Sequence, residues 1–488
     1  MSGGPMSGSG SPMRGTDAPG LGSYFGMYCA LMLTACVASA GITVIYNDLP
    51  TLQRVFPGQP ALAWVVTVYW LFSAVAAAVC GRYGDAIGRR RMMCIVLVLC
   101  TGGALVSANA HSLWTLIAGC AVQSVASAIT PLAFGLFREN LPPARMPLAV
   151  GVLTAAGTVA AGIIYVGSGV VIDAYSWQAG FYLKIALAAL ALVAVLALVP
   201  HSTPAPQPKF NWLYGVLFAP ALTALLVAVQ QIREWGLADP RLWSLLAAGF
   251  VLMVVWARHE LRAAQPFVDL RVLRDPQIRL ANIGIILLVL GGVQIGQVFT
   301  LLFQQPAWTG VGFGLSATHS GSMHLLLDLV ALIAAPWSGK IAVRHGARRS
   351  ALIGFAIITL AWGSLVIVHP PLALTVSIAA VALAGYSVTA CGLYNLIIES
   401  TPTQRTSEAT GFTYILFTAF FAVGAQIIFA LLRTSRIIEL SHSGGDFPSQ
   451  AAFSLSFAYI ALTGLAGVGV ALRLPNRRPL TLMEAAAL

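Results

Sequence analysis

His324 and Asp328 stand four residues apart in the apolar run Gly321-Ser-Met-His324-Leu-Leu-Leu-Asp328, a spacing that puts both on one face of a helix. On such a face they can hydrogen-bond to each other. In low dielectric, desolvation and pairing pull the proton affinity of a carboxylate in opposite directions, which is what a proton-coupling site needs. The bland alternative is a self-satisfied polar pair packed between helices. Lys184 is a second ionisable group within an apolar run. Facing a cavity it would attract an anionic substrate; facing the nearby membrane boundary it would snorkel out to water. Among the amides, Asn282, Gln294 and Gln297 fall in one apolar run, and the step from Gln294 to Gln297 places both on one helical face. They suit a cavity for polar solutes, or else hydrogen bonds between helices. Tyr165 and Tyr394 are further cavity candidates.

A different chemistry resides in two Gly-rich basic stretches. Gly81-Arg-Tyr-Gly84-Asp85-Ala-Ile-Gly88-Arg89-Arg90-Arg91 and Gly339-Lys-Ile-Ala-Val-Arg-His-Gly346-Ala-Arg-Arg349 are degenerate copies of one motif, each between long apolar runs. Superposed, Gly81 falls on Gly339 and Gly88 on Gly346, and internal repeats of this kind build the two halves of secondary transporters. Glycines at 81, 84 and 88 let a loop turn tightly, and Asp85 can pair with Arg side chains such as Arg89 and Arg90, or with a helix N-terminus. Such pairing would latch one end shut. In the second copy Val343 stands at the Asp85 position, so only the first copy is complete.

The elements that position these groups follow from composition. With 488 residues, 58% hydrophobic and 9% charged, the chain has too little polar surface for a water-soluble globule. It reads as an integral membrane protein, and nucleic acid is excluded as a partner because the net charge of +11 is scattered in short clusters with no basic stripe. The seven cysteines show no CxxC or Cys/His ligand spacing, so free thiols, no metal and no cofactor are expected.

A bilayer core takes about 20 apolar residues per helix. Spans are expected at 25–46, 62–80, 92–109, 114–136, 147–170, 179–199, 211–231, 242–257, 280–304, 316–338, 350–368, 372–396, 409–432 and 452–472. That makes fourteen, an all-α membrane protein in which two six-helix halves flank two inserted helices. The expected divisions are a disordered cytoplasmic tail at 1–24, a first half at 25–200, the linker and inserted pair at 201–279, a second half at 280–473 and a cytoplasmic tail at 474–488. With both termini on one side, that side carries twenty-one of the 27 Lys and Arg residues, so both termini are expected in the cytoplasm.

The chain resembles the major facilitator superfamily, and within it the fourteen-span drug:proton antiporters. Three pieces carry the likeness: the first Gly-rich stretch, close to G-x-x-x-D-x-x-G-R-R; Leu49-Pro50-Thr51 followed by Trp64-Val-Val-Thr-Val-Tyr69; and Phe210 to Gly215 through Glu260 to Pro266-Phe-Val-Asp-Leu-Arg271. The antiporters carry an Asp in span 1, nine residues before the Pro, where this chain has Gly41. In span 4 they place an Arg three residues before a Gln; here Gln123 is present and Cys120 stands in for the Arg. Lys184 replaces an Asn of the family's span-6 motif and could supply the missing fixed positive charge.

The resemblance implies a secondary active transporter, not an enzyme, that exports amphipathic organic compounds or drugs from the cell in exchange for protons. Its implied setting is the cell (inner) membrane, with the bilayer, protons and a small-molecule substrate as partners, and a periplasmic adaptor where the host has two membranes. Asp328 and His324 are the proton-coupling candidates, and Lys184, Gln123, Gln294, Gln297, Asn282, Tyr165 and Tyr394 the cavity candidates. Two rivals stay open: an uncoupled facilitator or proton symporter for a small, anionic solute near Lys184, and a non-transporting membrane sensor or scaffold.

Overall fold

The computed structural model describes residues 21–57, 59–142, 146–202, 217–236, 238–263, 270–368, 370–401, 406–438 and 446–474. The chain is nearly all helical: α1 Leu21–Val55, α2 Ala63–Ile87, α3 Arg89–Ala108, α4 Leu113–Gln123, α5 Ile129–Asn140, α6 Met146–Ala174 and α7 Trp177–Leu198. There follow α8 Phe218–Trp235, α9 Pro240–Arg262, α10 Pro276–Leu287, α11 Ile295–Gln304, α12 Ala317–Ile367, α13 Leu372–Glu399, α14 Thr406–Leu432 and α15 Gln450–Arg473. One short hairpin pairs β1 Arg436–Ile438 with β2 Asp446–Pro448. Thirteen helical stretches among the described residues are long and apolar enough to cross a bilayer. The expected seventh span begins in residues outside the described set; of α8, the apolar stretch is Phe218–Ala228. Both expected tails also lie almost wholly outside the described residues.

Boundaries follow from local chemistry. Asp239 and Asp275 cap α9 and α10, accepting from Arg241 N and Gln277 N at 2.8 and 2.7 Å, and Pro240 and Pro276 open those helices where a missing N–H costs nothing. Ser316 and Ser449 cap α12 and α15 in the same way.

Two expectations change here. Span 1 does not end before Pro50: α1 runs to Val55 with Pro50 inside it, as helices in a bilayer tolerate when neighbours re-satisfy the freed backbone. The Gly-rich stretches are not loops either. Gly81 and Gly84 lie on α2, and the whole turn is made at Gly88, with φ 98°. In the second copy Gly346, with φ 80°, breaks α12 at the matching position, a conformation that only glycine adopts without strain. The repeat seen in sequence is therefore a repeat in backbone geometry.

Within the first six spans α1 packs on α6 and α7, and α3 on α4 and α7. The last six spans meet the first through α2 against α14, α6 against the first part of α12, and α1 against α11. The pair α8 and α9 pack on each other, and α8 touches α2 and α14 where the two sets of six meet.

Candidate functional site

The hydrogen bonds described between the two sets of spans cluster at one end, where α1, α6 and α11 finish and α12 begins. Asp173, next to the end of α6, caps the N-terminus of α12: its carboxylate accepts from Ala317 N at 3.0 Å, Thr318 N at 2.8 Å and Thr318 Oγ1 at 2.6 Å. A carboxylate at a helix N-terminus has the orientation the helix dipole favours. Beneath it the backbones of α6 and α12 touch. A Cβ at Gly169 would lie 2.6 Å from Ala317 O, and one at Gly321 would lie 2.4 Å from Tyr165 O. On α1, Asn47 accepts from Gln304 Nε2 at 3.0 Å and donates to Tyr165 O at 2.9 Å and Ser168 Oγ at 3.0 Å. This end of the molecule is closed. None of Asp173, Asn47 and Ser168 stood out in the sequence, because a polar residue at the edge of a hydropathic run reads as a boundary.

Below the closed end lie the proton-coupling candidates, and one expectation about them is corrected. His324 and Asp328 share α12 but do not bond. His324 Nε2 lies 2.9 Å from Thr300 Oγ1 of α11, and its ring stacks on Tyr165 at 4.2 Å between centroids. Its Nε2 is thus engaged by the neighbouring helix and not by Asp328. Asp328 turns to α6, where its Oδ2 is 3.4 Å from the position a Cβ on Gly162 would occupy. That oxygen is buried and has no hydrogen-bond partner among the described residues. The seam therefore holds a buried carboxylate oxygen without a partner among the described residues, on the same helix as a His324–Thr300–Tyr165 group.

Lys184 does not snorkel. Fully buried, its Nζ donates to Gln123 Oε1 and, at 3.3 Å, to Gly41 O, and it lies 5.9 Å from the centroid of the Tyr69 ring. Gln123 Nε2 in turn donates to Gly103 O and Ser107 Oγ, which fixes the amide so that its oxygen faces the ammonium. Sequence singled out Lys184, Gln123 and Gly41 separately; the fold brings all three to one point inside the first six spans. Tyr69 fills the space at Gly41, where a Cβ would lie 2.0 Å from its hydroxyl oxygen.

The amides of the expected span 9 are mostly spoken for. That span is interrupted by a wide turn at Leu288–Gly292 before α11 begins. Gln294 Nε2 donates to Val289 O and Phe421 O, and Gln297 Nε2 to Ala425 O, so both do share a face, directed at α14. Their oxygens are buried and unpartnered among the described residues. Asn282 is satisfied at both ends, by Ile278 O and Thr413 Oγ1. Tyr394 is half-buried on α13, packed against the hydrophobic core. Trp70 of α2 stacks on Phe421 of α14 at 4.1 Å, closing the seam from the other side.

In the latch, Arg89 Nη1 bonds Gly135 O at 2.9 Å and Glu139 Oε1 at 3.0 Å, and Arg90 N donates to Ser202 Oγ at 3.1 Å. Both arginines tie the α2–α3 turn to its own set of six spans. The Asp85 side chain lies outside the described residues. A cavity of about 210 Å³ lined by Leu302, Phe313, Leu365, Thr375, Phe453 and Phe457, among others, shares no residue with the candidates.

The repeat, the pairing of the two sets of spans and the charged seam together describe a transporter architecture, and the family model described as Major Facilitator Superfamily matches residues 31–425. The chain belongs to the major facilitator superfamily. Its relatives within the superfamily include the multidrug resistance protein Stp of Mycobacterium tuberculosis (strain CDC 1551 / Oshkosh), 28% identical over 420 residues, covering 82% of this chain and 75% of that protein. Another is the tetracenomycin C resistance and export protein of Streptomyces glaucescens, 25% identical over 359 residues, covering 71% and 64%. Among solved superfamily structures, the inward-open xylose transporter XylE from E. coli matches with a TM-score of 0.63 at 13% identity, covering 95% of this chain and 99% of that one. A peptide transporter POT structure with sulfate matches at 0.65, with 15% identity and 92% and 93% coverage. At such identities the structures show the fold alone. The protein is thus a multi-pass membrane transporter of the major facilitator fold, whose substrates are small molecules.

Proposed function

We propose that this protein is a secondary active exporter that exchanges protons for amphipathic organic compounds. The relatives named for multidrug resistance and for tetracenomycin C export support the export of organic compounds. The observation that carries proton coupling is the partnerless Asp328 oxygen, buried on α12 against Gly162 of α6, at the seam along which the two sets of spans must slide. Ionisable groups inside a span are costly and rarely idle. Asp328 binds a proton in one orientation of the halves and releases it in the other, as spans 1–6 rock against 9–14 about a site near mid-membrane.

The setting that goes with this reading is a fourteen-span chain with both termini in the cytoplasm of a cell whose inner membrane it crosses. The packing of α8 on α9 supports α8 as part of a further span, and the excess of Lys and Arg on one side supports the orientation. Residues 25–200 and 280–473 are the moving halves and 201–279 the insertion. In a two-membrane host a periplasmic adaptor would meet the outward face. The anion-facilitator reading draws less support, because the Lys184 ammonium is enclosed by Gln123 and Gly41.

The test is transport of ethidium by the purified chain in lipid vesicles with an imposed proton gradient. Asp328→Asn is expected to abolish accumulation against a gradient while downhill exchange continues, since the amide keeps the shape and cannot carry the proton. Accumulation equal to wild type would make Asp328 structural.

A further inference from the structure

Asp48 is a buried acid for which the seam chemistry has no use. It lies on α1 one residue after Asn47, is 0% exposed, and neither of its carboxylate oxygens has a hydrogen-bond partner among the described residues. Gly180 of α7 packs against it, so that a Cβ there would sit 3.6 Å and 3.8 Å from the two oxygens. An ionised carboxylate in that position would bear the full desolvation of a charge with no bond in return, whereas a protonated one bears only the smaller cost of a neutral polar group.

The neighbouring ionisable groups do not relieve it. On α4, Cys120 is within electrostatic reach of Asp48. On α7, Lys184 is one turn beyond Gly180 but gives its ammonium to Gln123 and Gly41. On α2, Tyr69 packs at Gly41, two turns back along α1, and on α6, Tyr165 stacks on His324 of α12. Asp173, at the end of α6, is committed to the start of α12.

Two further features tie Asp48 to the closed end. Asn47, its immediate neighbour, is bonded to Gln304 of α11 and to Tyr165 and Ser168 of α6. Pro50, inside the helix, lacks the N–H that would otherwise bond the carbonyl four residues back, which leaves this turn the weakest in α1. When the closed end parts, the Asn47–Gln304 bond must break, and the turn carrying Asp48 can move with it.

We propose that Asp48 is a second proton site, held protonated while the closed end is shut and exchanging its proton with water on that side when Asn47 releases Gln304. This rests on the alternation of the two halves described above, but not on Asp328. It gives the first six spans a fully buried acid, two helical turns along α1 from Gly41.

The experiment is infrared spectroscopy of the purified full chain in lipid bilayers across a pH series, which needs no transported substrate. Wild type is expected to show a carbonyl-stretch band of a protonated carboxyl that Asp48→Asn removes and Asp48→Glu displaces; the second variant serves if the first does not fold. Gln304→Ala, which loosens the closed end, is expected to make that band disappear at alkaline pH, where wild type retains it. A spectrum unchanged by either Asp48 variant, or a band indifferent to Gln304→Ala, overturns the proposal. Asp328→Asn should remove a separate component, so failure of the Asp328 reading would show as the absence of that component with the Asp48 band intact.

Discussion

At the scale of single residues, Lys184 shows how a charged group can be noticed without its role being visible. Its position inside an apolar run is plain from the sequence. The direction of its side chain is not, because α7 is apolar all round and offers no stripe to orient it. The fold supplies the answer through Gln123 and the carbonyl at Gly41. Replacing Gln123 by Leu leaves the buried ammonium with one acceptor, and a lost bond of this kind costs about 1–3 kcal/mol. A lowered midpoint of thermal unfolding in detergent is expected for Gln123→Leu and for Lys184→Met, with the double variant losing less than the sum of the two. Strict additivity would mean that the two side chains do not act as a pair. Asp48 was hidden for a different reason. A Pro two residues on marks a helix end in soluble proteins, so the acid falls outside a span counted to residue 46; within a bilayer α1 continues through Pro50.

At the scale of elements, the decisive contact is α6 against the first part of α12; the glycines of α6, Gly162 and Gly169 among them, permit close packing on sequence alone, but the sequence does not name the partner. Gly169 and Gly321 are ordinary glycines until the backbones are brought together. At Gly321 a methyl would meet the Tyr165 carbonyl at 2.4 Å, and one helix would have to move. Gly321→Ala is therefore expected to reduce ethidium transport several-fold, while Gly363→Ala, beyond the break in α12 with open space around it, should leave it unchanged. Equal effects would show that the seam is not held by close approach. The Asp173 cap adds charge-assisted bonds to this contact, and a helix cap of this kind is typically worth about 0.5–2 kcal/mol in all. Asp173→Asn weakens them, so spin labels at Tyr175 and Trp308, one on each side of the closed end, should report a larger population at long distance. An unchanged distribution would show that the cap does not hold the end shut. The turn at Gly88 and the break at Gly346 were legible in part: the repeat located both positions, but glycine spacing alone suggested broad loops where the chain makes a one-residue turn.

At the scale of the whole molecule, hydropathy alone was enough for the helical architecture, because a bilayer sets helix length and leaves no other way to satisfy the backbone. It was weakest where the chain pairs distant elements, since contacts such as α2 on α14 depend on which narrow face each helix turns inward. The count of spans has a direct test: single cysteines at His201 and Thr434 are separated by seven spans in the fourteen-span arrangement and should label from opposite sides of the membrane. Labelling from the same side would remove one crossing between them. Depth adds a physical constraint of another kind. Asp328 stands eleven residues into α12 from Ala317, about 16 Å at the helical rise, which is near the middle of the hydrocarbon layer. A proton arriving there from either face has crossed about half of the membrane's electric field, and a full crossing is worth about 2.3 kcal/mol per 100 mV. On the proposed mechanism, loading that carboxylate is a voltage-dependent step, and with an uncharged substrate a cell with no pH difference across its membrane would still bias the cycle through its electrical potential alone.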